Sequence, residues 1–232
     1  MTNFQPNEGS ERTRPTHTVE DYLMNMHVME RDQGEIVAAR LAELLGVSPA
    51  TVAMTLKRME RDHWITGKSR KQSIHLTDLG RAAAHSVVRR HMLIEWLLVK
   101  ILKVPYLQIH AEAHHLEHAI SPQLEERLMD ILESPQVCPH GNPFPGCEEA
   151  TRHYIPLTEV AVGDKVVIRR IHEFAENNQE LLSFLIENGI MPGAQGVVAE
   201  RLAFNQTLTL IVNGQPVILG FPVARYLFIE RA

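Results

Sequence analysis

The stretch Leu44-Leu45-Gly46-Val47-Ser48-Pro49-Ala50-Thr51 lies between two apolar periodicities, and its reading decides the fold. Upstream, Val37, Leu41, Leu44 and Leu45 fall on one side of a helix over Ile36–Leu45. Gly46 ends that helix, because the left-handed residue that closes a helix strains glycine least. Downstream, Ser48 caps a new helix with Pro49 at its first position, where the N–H that proline lacks would have no helical partner. This second helix, Pro49 to about Arg61, buries Val52, Leu56 and Met59. Two short helices joined by a tight glycine-containing turn form a helix-turn-helix. Trp64-Ile65-Thr66, a basic tip over Gly67–Lys71 and the alternating Ser73-Ile74-His75-Leu76 then predict a β-hairpin, the wing of a winged helix.

Upstream of this unit, a helix from Val19 to about Arg31 carries Leu23, Met26 and Met29, with Thr18 as N-cap and Asp21 as its capping-box partner. Residues 1–16 are polar, contain Pro6, Gly9 and Pro15, and are expected to form a disordered arm. Downstream, residues 78–102 predict one long helix. Its Leu93–Leu102 end is apolar nearly all round and calls for cover on several sides, for which a second subunit is the obvious source. Pro105 separates it from a histidine-bearing helix over Tyr106–Ile120, and Ser121-Pro122 opens another helix to about Glu133. Cys138–Cys147, with three prolines and two glycines, is a turn-rich connector. From Pro156 onward, short apolar runs at Lys165–Ile171, Gly196–Leu202, Thr207–Val212, Pro216–Leu219 and Ala224–Ile229 surround one short helix, Asn178–Asn188. With the Asn213-Gly214 hairpin signal they predict a small SH3-like barrel. The chain is thus mainly α with a small β domain. Its parts are an arm (1–16), a winged-helix domain (17–77), a helical domain (78–137), a Pro/Gly-rich linker (138–155) and the barrel (156–232).

The chemistry concentrates in His110-Ala111-Glu112-Ala113-His114-His115-Leu116-Glu117-His118. At about 100° per residue, His110, His114, Glu117 and His118 fall at roughly 0°, 40°, −20° and 80° on one helix face. Imidazoles and a carboxylate together suit first-row divalent metals. His91 and Glu95, four residues apart, form a second pair that is either a surface hydrogen bond or two more ligands. Cys138, His140 and Cys147 offer only three ligands in a Pro-rich loop, and free thiols in a connector are the preferred reading there. Two cysteines make no disulfide framework, no apolar run approaches a membrane span and no signal peptide is present, so the expected compartment is the cytoplasm. The net charge of −5 conceals a segregation: residues 48–90 hold nine cations against three anions. That basic segment suits phosphate. Ser48, Pro49, Ala50, Thr51 and Met54 would face bases, and Lys57, Arg58, Lys68, Arg70 and Lys71 would face the DNA backbone.

These residues together resemble the diphtheria toxin repressor family, which includes the manganese transport regulators. The resemblance runs through Glu20-Asp21-Tyr22-Leu23, Arg58-Met59-Glu60-Arg61-Asp62, Leu76-Thr77 with Gly80-Arg81, Arg90-His91 with Glu95, Glu112 with Glu117-His118, and Gly141-Asn142-Pro143 with Pro145-Gly146. It implies a winged-helix DNA-binding domain, a helical dimerisation and metal-binding domain, and a C-terminal SH3-like (FeoA-like) domain. It also implies a homodimeric repressor that binds operator DNA only when loaded with a divalent metal. By resemblance, His91, Glu95 and His110 match an ancillary site, while Asp21, His114, Glu117 and His118 match the activating site. The barrel's contribution to the ancillary site falls on Asn178 and Leu181 by ungapped alignment, with Glu176, Gln179 or Glu180 as substitutes. Asp21 is the manganese-type residue, whereas His114 replaces a thiolate or carboxylate. The expected metal is therefore Mn²⁺, then Fe²⁺, with Zn²⁺ and Co²⁺ able to bind in vitro. No organic cofactor and no membrane partner are expected. The alternative is a metal-independent winged-helix regulator with a ligand- or peptide-binding SH3-like domain. A metalloenzyme is disfavoured because no zincin or nucleophile motif is present.

Overall fold

The computed structural model describes residues 15–67 and 73–232. Most of the expected arm, and the wing-tip residues Lys68, Arg70 and Lys71, therefore lie outside the described residues. The chain forms two compact units, the first ending at Ala84 and the second running from His85 to Ala232.

In the first unit, α1 (His17–Gln33), α2 (Ala38–Leu45) and α3 (Pro49–Arg61) are followed by β1 (Ile65–Thr66) and β2 (His75–Leu76). The α2–α3 turn forms as its residues dictate. Gly46 takes φ 63°, and Ser48 Oγ accepts a hydrogen bond from the Thr51 N–H at 3.1 Å. Losing that cap in Ser48→Ala is expected to lower stability by about 1 kcal/mol, read as the shift in thermal unfolding of the full chain. The wing pairs Ile65 with Leu76 and Thr66 with His75. Ile36 does not join α2; its extended backbone bridges to Ile74, so α2 begins at Ala38. The start of α1 also differs from expectation. Thr16, following Pro15, is extended (φ −70°, ψ 158°) and its carbonyl accepts the Glu20 N–H at 2.9 Å. Thr18 and Asp21 therefore sit inside the helix, and the expected capping box is not formed. Leu23, Met26, Met29, Leu41, Met59 and Ile65 are fully buried.

Helix α4 (Asp78–Trp96) starts in the first unit and continues into the second. Thr77 Oγ1 accepts the Gly80 N–H at 2.9 Å and donates to the His63 carbonyl at 2.7 Å, tying its start to the wing. The predicted single helix to residue 102 instead ends in a π-helical turn over Leu97–Ile101, closed by the Leu102 N–H on the Leu97 carbonyl at 3.0 Å. Lys103, at φ 57°, and Pro105 then stop the helix. The wider turn keeps Leu98 inside and leaves Ile101 and Leu102 more than half exposed.

After it come α5 (Tyr106–Leu116), a single 3-10 turn (Glu117–Ala119) and α6 (Pro122–Ile131), capped by Ser121. The C-terminal part is a six-stranded antiparallel sheet. Its elements are β3 (Ile155–Pro156), β4 (Lys165–Ile171), α7 (Glu173–Glu176), α8 (Gln179–Glu187), β5 (Gln195–Leu202), β6 (Thr207–Val212), β7 (Gln215–Gly220), α9 (Phe221–Ala224) and β8 (Leu227–Arg231). The strand order is β3-β8-β4-β5-β6-β7, the SH3-like architecture. Asn213 (φ 52°) and Gly214 (φ 76°) make the β6–β7 hairpin turn. The last strand begins later than predicted because Phe221–Ala224 wind into a helical turn, with the Phe221 N–H on the Gln206 carbonyl.

The Cys138–Cys147 connector is turn-rich as expected, yet it is packed rather than loose. Its hairpin pairs Val137 with Pro143, and the His140 carbonyl accepts the Ile171 N–H of β4 at 2.8 Å. Cys138, His140, Asn142 and Phe144 are all buried. Among the described residues, no helix is long and apolar enough to cross a membrane.

Candidate metal centre

The four candidate ligands of the histidine stretch divide between two clusters. The α-helical pitch ends at Leu116, and Glu117 and His118 lie in the tighter 3-10 turn. Within the second unit, His110, one helical turn before His114 on α5, lies against His91 of α4, while His114, Glu117 and His118 gather separately.

Around Glu95, nitrogens and oxygens from four segments converge. Glu95 Oε1 lies 3.2 Å from His91 Nε2, 3.4 Å from His110 Nδ1 and 3.2 Å from His140 Nδ1. Glu176 Oε2 lies 2.9 Å from His110 Nδ1 and 3.4 Å from His140 Nδ1. The ligand atoms of His91, Glu95, His110 and Glu176 all lie within 4.8 Å of one another, as do those of Glu95, Cys138 and His140. Helix α4 supplies His91 and Glu95 one turn apart, α5 supplies His110, the connector supplies Cys138 and His140, and α7 supplies Glu176. Glu95 is fully buried, and its Oε2 has no hydrogen-bond partner among the described residues. Two carboxylates buried among imidazoles are stable only with positive charge beside them. A divalent ion fits that requirement, and N, O and S donors together suit Fe, Co and Zn as well as Mn.

The outer hydrogen bonds orient these ligands. His110 Nε2–H donates to Asn177 Oδ1 at 3.0 Å, leaving Nδ1 to face the cluster. His91 Nδ1–H donates to Glu117 Oε2 at 2.6 Å, leaving Nε2 free to face Glu95. This is the usual way a metal-ligating histidine has its tautomer fixed. Here the acceptor is itself a member of the second group. Glu117 Oε1 lies 3.2 Å from His114 Nδ1 and 3.5 Å from His118 Nε2, with Glu117 buried and His114 half-exposed. One hydrogen bond thus joins the two clusters.

Burial alone would lower the His91 pKa, but the Glu95 and Glu117 carboxylates outweigh it and raise the group to about 9. Burial would raise Glu117, yet hydrogen bonds from His114 and His91 hold it at about 2. Glu95 and His110 move the same way: burial is overcome, so the carboxyl falls well below its usual range and the imidazole rises well above. Burial, with Glu95 and Glu176 nearby, pushes the Cys138 thiol well up, so a metal binding there must displace its proton. The signs define a pH window for the metal-free chain. Glu117, lowered on folding, stabilises above its unfolded value near 4.5, and that support is lost as pH falls toward 2. His91, raised on folding, stabilises fully below 6.5, and that support is lost as pH climbs through 9. Thermal unfolding of the chelated protein is expected to show its maximum between these limits; a maximum above pH 8 would contradict the assignment.

Of the other sequence-derived residues, Asp21 is half-buried on α1 in the first unit. Asn178, one of the aligned barrel positions, caps α8 by accepting the Leu181 N–H at 3.0 Å, and Glu176 is the barrel residue found among the ligand atoms. Gln179 and Glu180 are exposed. Sequence reasoning set Cys138 and His140 aside as connector residues, and both are buried beside Glu95. The missed signal was their place next to Gly141-Asn142-Pro143, the piece of the connector already singled out. Cys147 is half-buried and unbridged. On α3, Pro49, Ala50, Met54, Lys57 and Arg58 are exposed together, and the Ser48 and Thr51 hydroxyls are bonded to each other at 2.9 Å. Ala53 shares that exposed face and was not anticipated.

The chain is similar to known proteins along nearly its whole described length. Residues 15–72 match the family description "Iron dependent repressor, N-terminal DNA binding domain", 77–146 match "Iron dependent repressor, metal binding and dimerisation domain", and 155–231 match "FeoA domain". The iron-dependent repressor IdeR of Mycobacterium leprae (strain TN) is 32% identical over 225 residues, covering 92% of this chain and 97% of that protein. The diphtheria toxin repressor of Corynebacterium diphtheriae is likewise 32% identical, over 223 residues, with the same coverage. A manganese-dependent transcriptional repressor in complex with manganese superposes with TM-score 0.80 at 30% identity, covering 92% of this chain and all of that one. ScaR with bound Zn²⁺ superposes with TM-score 0.78 at 30% identity, covering 94% of this chain and 100% of the other. The chain belongs to the diphtheria toxin repressor family, and it is a metal-activated, DNA-binding transcriptional repressor rather than an enzyme.

Proposed function

We propose that the protein is a cytoplasmic, homodimeric sensor of manganese or iron that represses genes of metal-ion homeostasis when its centres are filled. The observation that carries this is the pair of ligand clusters, one buried around Glu95 and one built on the buried Glu117, joined through the His91–Glu117 hydrogen bond. In this reading, His91, Glu95, His110 and Glu176, with His140 and Cys138 beside them, hold the ancillary ion. His114, Glu117 and His118 hold the activating ion, with Asp21 as a further ligand on the strength of the family resemblance. Mn²⁺ is the preferred effector and Fe²⁺ the second, while Zn²⁺ and Co²⁺ bind the imidazole-rich sets in vitro. A metal shifts the repressor toward its DNA-binding state only by interacting more favourably with that state. The two copies of α3 would then meet half-sites one DNA turn, or a multiple, apart. Met54, Ala50 and Pro49 offer mainly apolar contacts, so much of the affinity comes from phosphate contacts and falls steeply with salt.

The test is fluorescence anisotropy of the chelated full-length protein on sheared DNA from its host. It is repeated at buffered free Mn²⁺, Fe²⁺ (anaerobically) and Zn²⁺. The reading requires tight binding only with metal, and it ranks the ions by the concentration each needs. Equal binding with and without chelator would replace it with a metal-independent regulator whose SH3-like domain takes another ligand.

A further inference from the structure

The residue that holds Glu176 in place is Asn142, which is fully buried. Its Oδ1 accepts a hydrogen bond from Arg170 Nε, which fixes the orientation of the amide. Its Nδ2 then donates twice, to Glu176 Oε1 at 2.6 Å and to the Ile171 carbonyl at 2.7 Å. Arg170 is itself anchored, lying over the Phe228 ring and donating to Glu173 Oε2 at 3.2 Å. The two oxygens of Glu176 are consequently unequal: Oε1 is committed to the amide, and Oε2 alone points at His110 and His140.

From this geometry we infer that Asn142 sets the metal selectivity of the ancillary centre by restricting Glu176 to one ligating oxygen. The inference rests on the assignment of that centre made above. Zn²⁺ is satisfied by four donors, which the cluster supplies from imidazole, thiolate and single carboxylate oxygens. Mn²⁺ favours carboxylate oxygen and gains more than Zn²⁺ from a second oxygen of Glu176. Asn142 denies it that oxygen. Asn142 is thus a positioning residue: it touches no metal, and it acts through Glu176.

The experiment uses the full chain carrying His114→Ala and His118→Ala, so that only the ancillary centre is counted. Zn²⁺ and Mn²⁺ affinities are measured by equilibrium dialysis with and without Asn142→Ala. Asn142→Asp is the second variant, because it keeps the volume and the Arg170 acceptor while removing the donor to Glu176. Losing an outer-shell partner changes metal affinity by about 10–100-fold. The expected result is a Zn²⁺-to-Mn²⁺ affinity ratio about ten-fold lower in Asn142→Ala, with Co²⁺ absorption weakening as the coordination number rises. Asn142→Asp is expected to weaken both ions, because the new carboxylate repels Glu176, with the ratio again moving toward Mn²⁺. Equal loss of both ions in both variants, or no change, would overturn the inference and leave Asn142 a packing residue. No binding of either ion by the Asn142 parent would overturn the ancillary assignment itself.

Discussion

In Glu117→Gln, metal is expected to lose its effect on DNA affinity: chelated and Mn²⁺-loaded protein should give the same anisotropy titration. Glu117 is where the two clusters meet, since Oε2 accepts from His91 while Oε1 faces His114 and His118. A glutamine amide keeps a carbonyl oxygen for the His91 N–H and keeps the volume. It removes the negative charge that a divalent ion needs beside His114 and His118. Allosteric effectors typically change affinity about 5–150-fold, and that whole factor should vanish. Glu117→Ala separates this from folding. It also strands His91 Nδ1 in a buried site, where breaking one half of a buried pair costs about 3–5 kcal/mol. The metal-free Ala variant should therefore unfold well below the Gln variant, with both equally deaf to metal. If Glu117→Gln still responded to Mn²⁺ at wild-type concentrations, the activating role of this cluster would be refuted.

The contrast between the two clusters also explains how much the sequence could reveal. Periodicity and caps are local, and they located the helix-turn-helix, the wing and the β6–β7 hairpin from Gly46, Ser48-Pro49 and Asn213-Gly214. Where local rules failed, a longer-range contact had won. Ile36 left α2 to pair with Ile74, and Phe221–Ala224 coiled to meet Gln206. The expected histidine helix runs four residues past the end of α5, because nothing in Leu116-Glu117-His118 signals a change from α to 3-10 pitch. That change takes Glu117 and His118 off the α-helical phase, whereas His110 and His114 are parted by one turn of α5 itself. The Glu95 cluster needs four segments spread over residues 91–176. Helical spacing could reveal only His91 with Glu95, and the family resemblance added His110. Glu176 stood among three alternatives, because α7 is a four-residue helix whose phase cannot be read from pattern. His140 was hidden by its surroundings: a loop dense in proline and glycine looks like a solvated connector until its backbone is seen docked against β4.

That docking makes Gly141 the position where a single methyl group should do most damage. Gly141 takes φ +88°, and a Cβ there would lie 2.0 Å from the Arg169 carbonyl oxygen, a distance no repacking of side chains relieves. Gly146, at φ +89° in the same connector, meets nothing within 4 Å. Gly146→Ala therefore measures the backbone strain alone, about 1–2 kcal/mol for a left-handed residue with a Cβ. Gly141→Ala bears that strain and a clash with backbone. Together these should cost about 4 kcal/mol or more, in the range reserved for steric conflict at buried sites. The loop can survive only by moving off β4, which carries His140 on one side of Gly141 and Asn142 on the other away from Glu95 and Glu176. The expected outcome is a lower unfolding temperature in Gly141→Ala than in Gly146→Ala, together with loss of Zn²⁺ binding at the ancillary centre in the His114→Ala, His118→Ala background. Gly146→Ala should retain that binding. Equal stability and equal Zn²⁺ affinity in the two alanine variants would mean that the connector does not need its contact with β4, and that His140 reaches the centre by some other support.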